Sequence, residues 1–241
     1  MAKSAKESRS KVLIERVPTG IPGLDDLLEG GFVKGSTILV TGGTGAGKTT
    51  FCAQFIWEGL KRGEPGVYIT LEEDPEDIKK DMMVFGFDLE KYEKSGMFKL
   101  VYQNPFEVSD ISSNVVDVIN SVDAKRVVLD PISLIGMYMK DPAVLRKRIF
   151  EIVRLLKKTG ATILVTSEIE EESKGLSRFG VIEFIVDGVI VLSYMNIGSE
   201  SFGSLEVRKM RRTAHRHGLY PLSIHKNGIR VNPEESLTEI R

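Results

Sequence analysis

The sequence predicts an α/β protein with a mostly parallel central sheet flanked by helices and an antiparallel meander at its C-terminal end. Up to Phe179, short apolar runs alternate with amphipathic stretches, as expected where strands and helices alternate along a chain. Runs such as VVL and TILV have the composition of parallel strands that helices cover on both faces. After Phe179, strand-like segments follow one another with only short turns between them, which predicts the meander.

The first strand is predicted over 36–41, before a glycine-rich turn and a helix over 51–61. A second strand over 67–72 leads to a helix that begins at Asp74-Pro75, because a capping aspartate there precedes a proline at the first helical position. The alternation continues with a strand over 98–102, a helix over 111–122, a strand over 126–130, a helix over 143–158 and a strand over 161–167.

The meander is predicted from strands over 188–194, 205–211 and 220–224, followed by a hairpin turn at Asn227-Gly228. Residues 1–11 are small, polar and basic, and we expect a mobile tail there. From residue 12 onward the sequence contains no linker-like composition, repeat or low-complexity segment. We therefore expect one domain over 12–241.

The composition excludes several classes of protein. With 241 residues, 28% charged and 41% hydrophobic, the chain is neither disordered nor collagen-like, and no apolar run approaches the ~20 residues of a membrane span. Its basic N-terminus lacks the hydrophobic stretch of a secretory signal. A single cysteine, Cys52, supplies neither an internal disulfide nor a cysteine metal cluster. We expect a soluble, cytoplasmic protein with no membrane partner.

The glycine-rich turn matches the phosphate-loop pattern G-x-x-x-x-G-K-[ST], and it lies between a predicted strand and a predicted helix. Glycines let backbone amides converge on phosphate oxygens, and the helix N-terminus favours an anion. Lys48 would reach the β- and γ-phosphates and Thr49 would ligate Mg²⁺. A simple strand-to-helix turn does not explain the Lys-Thr pair. The expected nucleotide-binding residues here are Gly42, Gly43, Thr44, Gly45, Ala46, Gly47, Lys48, Thr49 and Thr50.

Acidic residues at two later strand ends complete the expected site. Asp130 ends the strand VVLD, where sheets of this kind bind ligands, and we expect it in the Mg²⁺ shell through water; a turn-forming role before Pro131 is the alternative. Glu72 is the first choice for the base that activates water and Glu73 the second. Neighbouring side chains of a strand point to opposite faces, so we expect only one of them to face the phosphates.

The segment TGIPGLDDLL over 19–28, leading into the phosphate loop, resembles the stretch that precedes this loop in the RecA/RadA/KaiC group of ATPases. The segments YITLEE over 68–73, DPIS over 130–133 and the basic stretch over 209–221 extend the likeness. Over 12–232 the chain is most similar to a single KaiC-type ATPase domain. The resemblance implies a RecA-like fold and a hexameric ring, with ATP bound at the subunit interfaces.

The resemblance also implies roles for individual residues. Glu72 matches the catalytic glutamate of the group and Glu73 the acid beside it. Lys209 and Arg211 match a K-x-R motif that reaches the γ-phosphate of the neighbouring subunit. Further nucleotide contacts across the interface fall at Met210, Thr213 and His215. On a strand, Lys209 and Arg211 project from one face, which suits a phosphate; a basic strand that keeps an edge soluble is the alternative.

The expected activity is Mg²⁺-dependent ATP hydrolysis in a ring oligomer with a regulatory or signalling role; protein kinase activity is left open. A slow, nucleotide-gated module that presents a changing surface to a protein client is one alternative. A DNA-dependent RecA-like ATPase is another, because Lys174, Arg178 and Phe179 mix cations with an aromatic ring. The adjacent acids over 170–172 and the balanced charge, Lys+Arg 33 against Asp+Glu 34, make nucleic acid the less favoured partner.

Overall fold

The computed structural model describes residues 13–106, 108–137, 139, 141–169, 175–197 and 200–237, with the side chains of 108–113, 195–197 and 200–201 left aside. The basic tail over 1–11, the acids over 170–172 and Lys174 therefore lie outside the described residues. Within the described part, no helix combines the length and the hydrophobicity that crossing a membrane requires.

Eleven strands occur in the described part of the chain, two in a small ribbon and nine in a central sheet. They are β1 (Arg16–Val17), β2 (Phe32–Val33), β3 (Thr37–Gly42), β4 (Gly66–Thr70), β5 (Phe98–Tyr102), β6 (Arg126–Asp130), β7 (Thr162–Glu168), β8 (Gly188–Ile197), β9 (Glu200–Met210), β10 (Leu219–His225) and β11 (Gly228–Val231). The sheet order is β11-β10-β9-β8-β3-β7-β6-β4-β5.

The helices flank this sheet. They are α1 (Leu24–Leu27), α2 (Lys48–Lys61), α3 (Pro75–Val84), α4 (Leu89–Lys94), α5 (Val108–Ser121), α6 (Pro142–Lys158) and α7 (Ile182–Ile185), with a 3-10 helix over Ile132–Gly136. Alternate residues of each inner strand enter opposite hydrophobic layers: Ile38 and Val40 join the layer of α2, and Leu39 joins the layer of α6. The short α1, α4 and α7 were not expected from the sequence.

The predicted fold class is confirmed. Strands β3 to β7 pair in parallel, and β8 to β11 pair with one another in antiparallel fashion. Strand β8 is also parallel to β3, so it joins the meander directly to the parallel sheet. This arrangement places the C-terminal ends of β3, β4, β6 and β7 at one edge, where ligands bind in such sheets.

Three predicted boundaries differ in ways that affect the site. Helix α2 begins at Lys48 and not at 51, because Gly47 has a left-handed backbone (φ 89°) and the helix starts directly after it. Strand β4 ends at Thr70 and not at 72, because the Thr70 hydroxyl accepts hydrogen bonds from the backbone amides of Glu72 (3.3 Å) and Glu73 (2.9 Å). These bonds turn the chain out of the sheet.

The hairpin turn also lies one residue earlier than predicted. His225 pairs with Gly228, which leaves Lys226 and Asn227 as the two-residue turn. Gly228 opens β11 with a φ of 98°, and a Cβ there would lie 2.3 Å from Oε1 of Gln54. Glycine is therefore required for close approach to α2 as well as for its backbone conformation.

Candidate functional site

A cleft of about 460 Å³ lies at the C-terminal edge of the parallel strands. It brings together the loop after β3, the turn after β4 and the ends of β6 and β7. Its lining residues are Thr44, Gly45, Gly47, Lys48, Thr49, Thr50, Thr70, Glu72, Glu73, Phe85, Asp130, Pro131, Glu168 and Ile224. Six of the nine loop residues selected from the sequence, together with both glutamates and Asp130, thus face one space.

The loop after β3 is open on the side of the cleft. Gly45 and Gly47 have φ angles of 78° and 89°, in the left-handed region that favours glycine. A Cβ at Gly43 or Gly45 would meet nothing within 4 Å, so the concave side has room for a ligand to approach the backbone. Gly42 instead packs closely on β8, since a Cβ there would lie 2.2 Å from the Leu192 carbonyl oxygen. The side chain of Ala46 is buried and does not line the cleft.

The side chain of Lys48 folds back over the loop. Its Nζ donates hydrogen bonds to the carbonyl oxygens of Gly42 (3.0 Å) and Gly43 (2.9 Å). Burial lowers the pKa of Lys48 below its usual value, although the carboxylates of Glu168 and Asp130 oppose this shift. The ammonium is therefore partly desolvated at the floor of the cleft, where an anion would gain from contact with it.

Asp130 is buried and accepts hydrogen bonds from three hydroxyl groups. Thr49 donates to Oδ2 at 3.2 Å, Tyr68 donates to the same oxygen, and Thr166 donates to Oδ1. Burial raises the pKa of Tyr68 well above its usual value, with the negative charge of Asp130 adding to the shift, so its phenol remains a donor. The carboxylate is held between two strands and the start of α2.

Glu72 and Glu73 both line the cleft, so the expectation that only one of them faces it was wrong. The alternation of a strand does not apply to them because β4 ends at Thr70. Partial burial raises the pKa of Glu72, and the nearby carboxylates of Glu168 and Asp130 raise it further. The pKa of Glu73 is raised by burial, Asp130 and Glu72. Elevated carboxylate pKa values suit a group that accepts a proton near neutral pH.

Lys209 and Arg211 do not approach this cleft. Strand β9 ends beside the first residue of β8, Gly188, which pairs with Ile38 near the N-terminal end of β3. The loop follows the opposite end of β3, so the two cations lie at the far edge of the sheet. Within one chain, they contact a different part of the molecule.

Lys209 and Arg211 both contact the segment over 183–187, which precedes β8. Lys209 Nζ donates to the carbonyl oxygens of Glu183 (2.9 Å) and Val186 (2.7 Å). Arg211 Nη1 lies 3.4 Å from Oδ1 of Asp187. Asp187 also accepts from the Thr37 amide (3.0 Å) and forms an ion pair with Lys157 (2.6 Å). Both cations therefore contact the segment over 183–187, but strand alternation does not place Arg211, because β9 ends at Met210.

The three other residues for which the resemblance implies a nucleotide contact differ in how accessible their side chains are. The Met210 side chain is only 5% exposed and packs towards Gly188, so a nucleotide contact from this residue would have to use its main chain. The Thr213 hydroxyl accepts a hydrogen bond from Arg16 at 2.6 Å. The ring of His215 lies 4.6 Å from that of His217 and remains partly exposed. Thr213 and His215 both belong to the stretch that follows β9.

Tyr68 and Thr166 were not selected from the sequence. Each is a polar side chain within a strand that is buried on both faces, and this was the available signal. Their role depends on β6 lying between β4 and β7, which is a property of the sheet order and not of any local motif. Phe85 and Ile224 also line the cleft and carry no local signal; Phe85 directly follows α3, and Ile224 lies in β10.

Arg178 and Phe179, two of the three residues on which the DNA-dependent alternative was based, make contacts within the chain. Arg178 forms an ion pair with Glu168 at 2.9 Å. The ring of Phe179 packs on Gly136, where a Cβ would lie 2.3 Å from it. Both side chains therefore have partners within the chain, which a contact with DNA would have to replace.

The donor set at the cleft fits a magnesium ion that arrives with a nucleotide. Among the described residues, no group of three or more His, Cys, Asp and Glu side chains could hold a metal by itself. Magnesium does not need such a cage, because it keeps several waters and is bound by one or two protein oxygens together with phosphates. The hydroxyl of Thr49 and the carboxylate of Asp130 provide oxygens of this kind, 3.2 Å apart.

A mostly parallel sheet with antiparallel C-terminal strands, and a phosphate-loop sequence between a strand and a helix at its ligand-binding edge, define the RecA-like α/β class. Within this class the chain belongs to the KaiC ATPase family, whose model, described as "ATPase: KaiC", matches residues 17–236.

Relatives agree with this assignment. A UPF0273 protein of Methanopyrus kandleri is 38% identical, over 95% of this chain and 96% of its own length. A KaiC-like protein of Pyrococcus horikoshii has a solved structure with a TM-score of 0.85 and 42% identity, covering 92% of this chain and all of that one. The circadian clock oscillator protein KaiC of Thermosynechococcus vestitus is 33% identical over 95% of this chain, which spans only 46% of that protein.

Proposed function

We propose that this protein is a Mg²⁺-dependent ATPase that acts as a ring, with ATP bound at each subunit interface, in a regulatory or signalling role. The observation that carries the proposal is the convergence of the Lys48 loop, Asp130 and Glu72 on one cleft. Phosphate binding, metal binding and activation of water each have a suitable group there.

Each group has a distinct role in the proposed reaction. Backbone amides of the loop and the Lys48 ammonium bind the phosphates, and Lys48 exchanges its hydrogen bonds to the loop carbonyls for bonds to phosphate oxygens. Thr49 and Asp130 hold Mg²⁺, which neutralises charge on the phosphates when bound. Glu72 orients the attacking water and accepts its proton, and Glu73 is the second choice for this role.

The separation of Lys209 and Arg211 from the cleft that contains Lys48 supports the proposed ring. Lys209 and Arg211 lie at the edge of the sheet opposite the cleft, so they would serve a nucleotide only in a neighbouring subunit. An arginine supplied across an interface stabilises charge during phosphoryl transfer. Thr213 and His215 lie in the segment after β9 and would approach the same neighbour.

Single-turnover hydrolysis tests the role of Glu72. Protein freed of carried-over nucleotide is first titrated with Mg²⁺-ATP by calorimetry, and the absence of binding would refute the proposal. Glu72→Gln should then lower the hydrolysis rate about 10²–10⁴-fold, while binding persists. Glu76→Gln is the matched control, since Glu76 is exposed in the first turn of α3 and does not line the cleft.

The control should hydrolyse ATP at the wild-type rate. If Glu73→Gln, and not Glu72→Gln, abolishes turnover, the base is Glu73. A rate that neither substitution changes removes both from the proposed role. Slow turnover in the wild type itself, with tight nucleotide binding, would favour the nucleotide-gated module.

Mixing two inactive variants tests action between subunits. Lys48→Ala disables the cleft of its own chain, and Arg211→Ala disables the cation offered to the neighbour. In mixed rings, some interfaces pair an intact cleft with an intact Arg211, so partial activity should return. Mixed rings verified by mass spectrometry that remain inactive would contradict an interface site.

A further inference from the structure

We propose that the buried hydroxyl of Tyr68 is a positioning group for magnesium, acting through Asp130 on the Thr49 hydroxyl. The inference rests on the proposed function. It adds one residue, Tyr68, to which that function assigns no contact with the nucleotide. Neither the phosphate-loop pattern nor the two glutamates identify Tyr68.

The geometry begins with the order of three strands. Strand β6 lies between β4 and β7, and its last residue, Asp130, is flanked from both sides. Tyr68 approaches from β4 and Thr166 from β7, and both side chains are fully buried. Each directs its hydroxyl at one oxygen of Asp130. The carboxylate is thereby fixed by two rigid strands.

The consequence for the metal comes through Thr49. Its hydroxyl donates to Oδ2 of Asp130 at 3.2 Å, which is the same oxygen that accepts from Tyr68. A hydroxyl that donates its proton to a carboxylate keeps its lone pairs free, and these are what Mg²⁺ binds. Tyr68 therefore fixes the acceptor that orients the Thr49 ligand.

The surroundings of Tyr68 suit a positioning role. The residue is fully buried, and its hydroxyl donates to Oδ2 of Asp130. Its ring belongs to the hydrophobic layer under α2. Phenylalanine would keep that packing and remove only the hydroxyl, which makes Tyr68→Phe a specific perturbation.

The test measures magnesium dependence of nucleotide binding and not turnover. A fluorescent, non-hydrolysable ATP analogue is bound to the full-length protein in EDTA, and Mg²⁺ is then titrated. Loss of a group that orients a metal ligand typically costs 10–100-fold in affinity, so we expect Tyr68→Phe to raise the half-saturating Mg²⁺ about 10-fold. Binding of the analogue in EDTA should match that of the wild type.

Two control variants separate positioning from a general effect of lost hydroxyls. Tyr92→Phe makes the same change where the ring packs on Trp57, 5.5 Å between centroids. Ser133→Ala, three residues after Asp130, removes a buried hydroxyl that has no hydrogen-bond partner. Both should leave the magnesium titration unchanged. Thr166→Val removes the second strand-borne donor to Asp130, so it should raise the half-saturating Mg²⁺ as Tyr68→Phe does.

The outcomes separate the inference from the proposed function. If wild-type protein shows no magnesium-dependent binding, the proposed function fails and the inference falls with it. If the wild type responds to Mg²⁺ and Tyr68→Phe has the same half-saturation within twofold, only the inference is overturned. Should Tyr68→Phe fail to fold, an unchanged titration in Thr166→Val would overturn it instead.

Discussion

Gln54 provides the sharpest test of how the C-terminal hairpin is attached to the rest of the fold. Its side chain lies on α2 and is only 4% exposed. Its amide nitrogen donates to the carbonyl oxygens of Gly20 (2.8 Å) and Ile229 (3.0 Å), and its oxygen accepts from the Ile229 amide (2.7 Å). Strand β11 is the last strand of the sheet, so Gln54 replaces the partner that its outer edge lacks.

Gln54→Leu keeps the size of the side chain and removes all three hydrogen bonds. A buried amide left without a partner costs about 1–3 kcal/mol, and each carbonyl bond contributes about 0.5–1.5 kcal/mol. Because Ile229 is buried, water does not replace these bonds. We expect the free energy of unfolding to fall by about 4 kcal/mol, which corresponds to a Tm about 12 °C lower in a domain of this size.

Thermal unfolding followed by circular dichroism, at one protein concentration and without nucleotide, measures this shift. Gln103→Leu is the matched control, because Gln103 is partly exposed and its amide makes only a long contact, 3.5 Å, with the Asn104 carbonyl. The control should change the stability by less than about 0.5 kcal/mol. A Gln54→Leu protein that melts within 2–3 °C of the control, on the order of 1 kcal/mol, would refute this account of the hairpin.

Two further predictions concern the cleft and the distant cations. Glu168→Gln should move the acidic limb of the pH–rate profile for ATP hydrolysis to lower pH. The charge of Glu168 raises the pKa of Glu72, so without it Glu72 stays ionised, and able to act as a base, at lower pH. An unchanged acidic limb would contradict this. Asp187→Asn should slow hydrolysis by loosening Arg211, and the Asp187→Asn, Arg211→Ala double variant should be no slower than Arg211→Ala alone. Additive losses would show that Asp187 acts elsewhere.

The central elements of the fold could be predicted because their signals are local. Strand β6 begins and ends where predicted, and Asp74 caps α3 as expected, accepting from the Glu76 amide at 2.8 Å. Errors arose where a side-chain contact outside the hydrophobic pattern decided the outcome. The Thr70 hydroxyl ended β4 early through local bonds to the next backbone amides, and the hairpin turn lies one residue earlier than predicted, where Gly228 packs against Gln54.

The same distinction applies to the candidate site. The loop and Asp130 were found from sequence because each lies at a strand end beside a recognisable pattern. Tyr68 and Thr166 were missed since they meet Asp130 only through the order of β4, β6 and β7. Parallel strands distant in sequence become neighbours through crossover helices, and composition alone does not give that order.

Strand β3 connects the two halves of the proposed interface. At its C-terminal end it carries the phosphate loop, and at its N-terminal end the Thr37 amide donates to Asp187, which holds Arg211. Its six residues span about 20 Å, which is longer than any arginine side chain, so Arg211 cannot reach the cleft of its own chain. In the proposed ring, each β3 would lie between the cleft of its own subunit and the Arg211 side chain that this subunit presents to its neighbour.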